Sequence, residues 1–467
     1  MNTIPLLSNP ELWKKIEAYN FDEPISEYGF STRLAKENFW TIDFTQKAML
    51  EYKKFMYLAA ISDLMVSPSE IVDTVWHQHL IFTQSYADFC RMIGKDVQHI
   101  PSTHNRAEFE KFKLAKERTK ELYQNNFGEQ LAVIWQYPDM FASLQLTKAK
   151  IKIRTFLIIA IIGFLILIYP FYLLLSHVYI HIDNPYFVIG YIALAISAFI
   201  IIEWYNRMQL LKAVNNWNSK AFIFHLSALE LLYLKGERVS DIIHGYVNRL
   251  IEENKIKIES NRFIPVEYDS KYESIEEYNV METIKNIREA SYPLILAHLM
   301  FKPCFNSIAG AIDAFRKYFI KSRFFVRLFS LNFILLFFVW MLGVVRLIMG
   351  VERDKPVTIL GFVLFVMICL IGVYLWRLPQ LIATKIIPSY YEREIVNKDN
   401  NSVSPDWHFY LMGTARLLPV FSPYVEQIKQ SNQSGSDSSG GSGCGGASCG
   451  GASSCGGGGC GGCGGGD

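Results

Sequence analysis

Two places in this 467-residue chain carry side chains whose types and spacing could do chemistry. The first is Ile71-Val72-Asp73-Thr74-Val75-Trp76-His77-Gln78-His79-Leu80, followed by Thr83, Tyr86, Phe89 and Cys90. Imidazoles beside a carboxylate are the material of a metal site or of general acid–base catalysis. On a helix Asp73 and His77 share a face, where the carboxylate could orient the imidazole and raise its pKa. His77 and His79 stand ~200° apart and cannot chelate one ion while both stay helical. His79 shares its face with Thr83, Tyr86 and Cys90. His99 and His104 fall in a loop downstream and could complete a site. The second place is the glycine- and serine-rich stretch Gly435 to Asp467, which holds Cys444, Cys449, Cys455, Cys460 and Cys463. It has one C-x-x-C pair and no histidine, which argues against a preformed zinc finger. Its thiolates could still wrap a soft ion such as Zn²⁺ or Cu(I), at an entropic cost, or accept oxidation, lipidation or enzymatic modification.

Each place also has a plainer reading. Asp73 and His77 can make caps and interhelical hydrogen bonds while Trp76, Tyr86 and Phe89 fill a core. Cys90 suits a small buried hydrophobe better than a nucleophile. This reading is weighted above a ligand or metal site, and catalysis comes last. The tail has no large side chain to bury, so it cannot offset the entropy of ordering and is expected to be disordered. A passive or adhesive segment is the plain account of it.

The elements that must position the first motif are helical. Phe44 to Val66 has apolar residues at three- and four-residue spacing. Ser67-Pro68-Ser69-Glu70 reads as a helix start, with Ser67 as N-cap, Pro68 in the first turn and Glu70 placed for a capping box. The motif helix follows, and a charged amphipathic helix spans Arg106 to Asn125. Residues 1–145 form an α-helical domain in this reading. Its first 30 residues lack the basic and apolar regions of a signal peptide, which keeps the domain in the cytosol.

Four stretches reach the ~20 apolar residues that a bilayer core requires: Thr155 to Ser176, Tyr186 to Ile202, Leu328 to Met349 and Val357 to Trp376. They are apolar all round, unlike a core helix with a polar face, and Arg346 lies near an end where it can snorkel. Lys148, Lys150, Lys152 and Arg154 precede the first stretch, while the loop after it has no Lys or Arg. Arg207 and Lys212 follow the second, five basic residues from Arg316 to Arg327 precede the third, and Arg377 and Lys385 follow the fourth. The positive-inside rule then places both termini in the cytoplasm and the spans in two hairpins, 150–204 and 328–376, with the bilayer as one partner. A cytoplasmic tail is kept reduced, which disfavours stable disulfides.

Between the hairpins, 205–322 reads as a small cytoplasmic α+β insert. Ala221 to Lys235 is an apolar helix stopped by Gly236, Val239 to Glu253 is a second helix, and Lys255 to Glu259 with Asn261 to Ile264 forms a hairpin. The order is winged-helix-like. The only basic cluster at the wing is Lys255, Lys257 and Arg262, and the acidic run Tyr268 to Tyr278 argues against a nucleic-acid partner. The whole chain agrees: its net charge is +2, from 46 basic and 44 acidic residues. Residues 377–430 read as a juxtamembrane helical segment and 431–467 as the tail.

The pattern V-D-x-x-W-H-x-H, with Tyr86, Phe89 and Cys90 after it, resembles the signature of the glycine-rich-domain-containing protein family. That resemblance implies a helical domain and no established activity. Leu229 to Gly236, Asn248 to Ile258, Arg377-Leu378-Pro379 and Leu411-Met412-Gly413 resemble a second, uncharacterised family of bacterial membrane proteins with Gly/Cys-rich C-termini. The Leu-Lys-Gly step departs from the Gly-Gly more usual there.

The expected architecture is mainly α: a helical N-terminal domain, four inner-membrane (plasma-membrane) helices, a winged-helix-like insert and a Gly/Cys tail. The leading function is non-enzymatic, a membrane scaffold that presents the tail and recruits a protein partner. The alternatives are metal or redox binding, with Zn or Cu held by tail thiols and by His77, His79, His99 or His104, and a hydrolase-like enzyme using Asp73 and His77. Transport ranks below these, because the spans hold almost no ionisable residue besides Arg346.

Overall fold

The computed structural model describes residues 7–100, 108–266, 272–287, 291–396 and 405–434. The Gly/Cys tail, with its five cysteines, and His104 lie outside the described residues. Among the described residues there are nineteen α-helices and one two-stranded hairpin. The first seven helices are α1 (Pro10–Ala18), α2 (Phe30–Asn38), α3 (Ile42–Ile61), α4 (Glu70–Ile81), α5 (Thr83–Ile93), α6 (Phe109–Phe127) and α7 (Ala132–Trp135). α3 is their centre. Phe44, Ala48, Tyr52, Phe55 and Ala59 recur at three- and four-residue spacing and are all buried, so one stripe of α3 carries the core against which α1, α4 and α6 pack. A buried carboxylate at the edge of the same stripe, Glu51, accepts from Tyr123 Oη at 2.8 Å, Trp135 Nε1 at 2.6 Å and Lys54 Nζ at 2.8 Å. This ties α6 and α7 to α3.

Three local expectations shift. α3 ends at Ile61, five residues before Val66. The next helix begins at Glu70, with Ser69 as its N-cap: Ser69 Oγ accepts from the Val72 amide at 3.2 Å. Ser67 cannot take that role because Thr119 of α6 holds it, accepting from the Ser67 amide at 2.8 Å and donating to its carbonyl at 3.1 Å. The run from Glu70 to Cys90 is two helices, broken where Phe82 leaves helical geometry (φ −84°, ψ 64°).

Two long helices follow, α8 (Ile153–Tyr179) and α9 (Asn184–Asn215), then α10 (Ala228–Gly236) and α11 (Val239–Glu252). Strands β1 (Ile256–Glu259) and β2 (Arg262–Pro265) pair antiparallel in the register Ile256↔Pro265 to Glu259↔Arg262. Ser260 and Asn261 turn between them at φ 49° and 68°. Next come α12 (Ile275–Asn286), α13 (Tyr292–Leu299) and α14 (Pro303–Ile320), the long helices α15 (Arg323–Glu352) and α16 (Thr358–Arg377), and then α17 (Ile387–Val396), α18 (Pro405–Met412) and α19 (Ser422–Ser434).

The expected helix from Ala221 is shorter. It starts at Ala228 on a capping box in which Ser227 and Glu230 each satisfy the other's backbone amide. Gly236 is its last residue, and the left-handed stop falls on Glu237 (φ 57°). At the hairpin, Lys255 Nζ lies 3.1–3.2 Å from Glu253, Glu273 and Glu277, so acidic neighbours neutralise one of the three bases of the wing. The segment after the last long helix packs back on this group. Arg249 of α11 pairs with Asp406 at 2.6 Å, and the Phe409 ring sits where a Cβ on Gly245 would come within 2.8 Å of it.

Helices α8, α9, α15 and α16 are long and apolar enough to cross a membrane, with mean hydropathy from 2.3 to 2.7. α15 is their hub, with α8, α9 and α16 all packed on it. At Gly343 an added Cβ would stand 2.6 Å from Leu364 and 2.7 Å from Tyr191, so its neighbours approach as closely as only glycine permits. Asn206 and Asn332, both buried, exchange carboxamide hydrogen bonds at 2.8 Å in each direction. Asn206 also donates to Tyr374 Oη at 2.8 Å. Arg346 donates to the carbonyls of Tyr179 and Ile182, capping the C-terminal end of α8 with a cation.

The short-helix groups meet at one end of this bundle. The segment entering α8 bridges to the start of α15, with the Ala149 amide donating to Lys321 O at 3.0 Å and the Arg323 amide to Thr147 O at 2.7 Å. α2 lies along α14, and the Ile42 amide, which opens α3, donates to Glu230 Oε1 at 2.8 Å. Replacing Glu230 with Gln puts an amide NH₂ against one of these donors. The expected result is a loss of about 2 kcal/mol, read as a lower thermal midpoint of the detergent-solubilised chain. An unchanged midpoint would show that the contact is dispensable.

Candidate metal centre

The start of α4 at Glu70 sets its phase. Ile71, Val72, Val75, Trp76 and His79 turn into the core, and Asp73 and His77 share the outer face one turn apart. α5 ends on Gly94 (φ 72°), where a side chain would be strained, and the chain turns back towards α4. The returning segment is pinned twice. Lys95 Nζ donates to Ala59 O, at 2.8 Å, and to Ser62 O at the end of α3, a cation at a helix C-terminus. Trp76 Nε1 donates to Tyr86 Oη at 3.1 Å, and Tyr86 in turn donates to Val97 O. His99 is thereby laid against the Trp76 ring, with centroids 4.7 Å apart.

His99 Nε2 then stands 3.0 Å from His77 Nε2 and 3.0 Å from Asp73 Oδ1, and His77 Nε2 is 3.7 Å from Asp73 Oδ2. The three groups form one cluster of ligand type. Hydrogen bonding accounts for both 3.0 Å contacts only if one proton is shared between them. If His99 Nε2 carries a proton for Asp73, His77 can only share that proton. If His77 donates to His99, then His99 turns a lone pair towards the carboxylate. At 3.7 Å the His77–Asp73 separation is too long for a hydrogen bond. A cation satisfies all three lone pairs at once. With metal–ligand lengths of 2.0–2.1 Å, the edge of a tetrahedral site is ~3.3 Å, and the observed spacings bracket it. Side-chain exposure is 48% for His77, 36% for Asp73 and 17% for His99, so an ion could enter from solvent.

His79 is not part of this cluster, which corrects its reading as a metal ligand. It is fully buried, with Nδ1 2.9 Å from Tyr52 Oη and Nε2 3.2 Å from Ser85 Oγ, and Phe21, Phe30 and Phe89 pack around it. Both ring nitrogens are taken, and burial lowers its pKa to about 4, so the ring stays neutral. Tyr86 packs against His79, Thr83 is exposed because the helix breaks before it, and Cys90 is buried. The Tyr86 hydroxyl is held by Trp76 and Val97. Of the two loop histidines expected to be able to complete a site, His99 is the one that joins the cluster, and His104 lies outside the described residues.

Residues 14–115 match the family described as UCP032817-like. The matched segment contains Asp73, His77 and His99 and ends before α8. No curated protein and no solved structure matches the chain.

The burial of His79 makes stability depend on pH. The unfolded chain protonates this residue near pH 6.5, the folded chain only near 4. Above pH 6.5 both forms are neutral and nothing is lost. As pH falls from 6.5 to 4 the unfolded chain gains up to about 3 kcal/mol, and below 4 the loss levels off. His244, whose pKa burial also lowers to about 4, acts in the same direction. The expected outcome is that His79→Leu lowers stability at pH 7.5 yet flattens the fall in thermal midpoint between pH 6.5 and 4.5. An unaltered slope would assign the dependence elsewhere.

Proposed function

We propose that this chain is a membrane-anchored metal-binding protein whose ion, Zn²⁺ in the first instance, is held by Asp73, His77 and His99. The observation that carries the reading is the convergence of three lone-pair atoms 3.0–3.7 Å apart. Two imidazoles and a carboxylate suit zinc and leave a fourth position open, as in sites where zinc takes an exchangeable ligand. The frame around it is the one read from charge and composition. α8, α9, α15 and α16 cross the plasma membrane with both termini in the cytoplasm, the α10–α11–hairpin group has a winged-helix-like order, and the Gly/Cys tail supplies Cys444, Cys449, Cys455, Cys460 and Cys463 as a softer ligand set. The V-D-x-x-W-H-x-H motif, by which the chain resembles glycine-rich-domain-containing proteins, holds two of the three ligands, Asp73 and His77. A scaffold that recruits a protein partner through the tail rests on composition alone and ranks second.

The test is elemental analysis of the detergent-purified chain beside a form truncated after Gln433. One zinc per chain in both forms is expected. His77→Ala, His99→Ala and Asp73→Asn should each weaken binding at least ~100-fold, beyond the usual effect of losing an outer-shell group, while His79→Leu keeps the ion. Zinc present only with the tail would move the site there, and zinc in neither form would remove the proposal.

A further inference from the structure

A cleft of about 330 Å³ runs along one side of the centre, and Asp73 and His99 line it while His77 does not. Its walls come from the C-terminal half of α3, the segment after it, α4 and the start of α6: Phe55, Leu64, Val66, Trp76 and Phe112 give it an apolar surface. Leu64 and Ile100, both lining it, are left 62% and 53% exposed. Its charged residues are Asp63, Asp73, Lys95 and Asp96. The Lys95 ammonium already donates to two carbonyls, which leaves it little to offer a ligand.

We infer that the open coordination position of the centre takes the carboxylate of a small molecule whose apolar body lies in this cleft. The inference rests on the metal reading above. Zinc prefers four ligands, and the cluster among the described residues supplies three. The ion with Asp73 and two neutral imidazoles carries a net charge of about +1, which one monoanion cancels. Asp63 and Asp96 along the same cleft disfavour a dianion such as a phosphate monoester. The apolar walls favour a ligand with an apolar body, because a small hydrophilic anion would leave Leu64, Val66 and Phe112 uncovered. The volume of about 330 Å³ admits a small molecule. That is a carboxylate with a short aliphatic or single-ring body.

The test uses the full chain in detergent, loaded with Co²⁺, whose visible absorption reports its ligands. 4-Phenylbutyrate, acetate and 4-phenylbutan-1-ol are titrated separately. Phenylbutyrate is expected to shift the cobalt band saturably at a concentration at least tenfold below that of acetate. The alcohol, with the same body and no carboxylate, should leave the band in place. Val66→Trp, which narrows the cleft away from the ligands, should raise the phenylbutyrate concentration at least tenfold while cobalt stoichiometry and the acetate response hold. Equal concentrations for phenylbutyrate and acetate, or no spectral change from either, would overturn the inference and leave the metal reading standing. Failure to bind cobalt at all would overturn both.

Discussion

Glu230 is buried completely, and its carboxylate accepts from the Ser227 amide at 2.7 Å, from Ser227 Oγ at 2.9 Å and from the Ile42 amide at 2.8 Å. Burial pushes its pKa up, and those donors pull it back down. A carboxylate in this position is costly unless its partners hold their places. It therefore fixes the first turn of α3 against the first turn of α10, two segments 188 positions apart. The same joint is widened by α2 lying along α14 and by Lys302 reaching Glu27 at 2.6 Å. α4 packs on α3, so the direction in which Asp73 and His77 face follows from that joint.

α3 also explains why neighbouring histidines behave so differently. His77 and His79 are two residues apart on α4, and the helix sends one outward and the other into the stripe that α3 buries. His79 meets Tyr52 of α3 and becomes a neutral internal hydrogen-bonding group. His77 stays wet and meets His99, on a returning chain that Lys95 helps anchor to the last carbonyls of the same α3. One helix thus supplies the dry wall behind the centre and the tether for the loop in front of it.

Much of this was legible in the residues. Long uniform apolar runs mark α8, α9, α15 and α16, because nothing else in a soluble core requires apolar residues on every side. The face shared by Asp73 and His77 follows from helical spacing alone, as does the exclusion of a His77–His79 chelate. What was hidden depends on distant partners. Ser67 looks as good an N-cap as Ser69 until Thr119 claims it, and Gly236 looks like the natural stop until Glu237 takes the left-handed turn. Nothing in the run from Glu70 to Cys90 announces the break at Phe82. The place of His99 is set by a Trp76–Tyr86–Val97 chain that no local pattern encodes, and nothing near Asn206 or Asn332 in sequence announces that the two will pair.

That pair bears on how the chain is made. Asn206 and Asn332 are 126 positions apart. At ordinary translation rates of about 5–20 residues per second, the first hairpin is finished roughly 6–25 s before its partner amide exists. During that interval the Asn206 carboxamide has no Asn332 to meet and is left to water. A polypeptide cut short before α15 keeps that unmet amide indefinitely, a chemical mark by which an incomplete copy differs from a finished one.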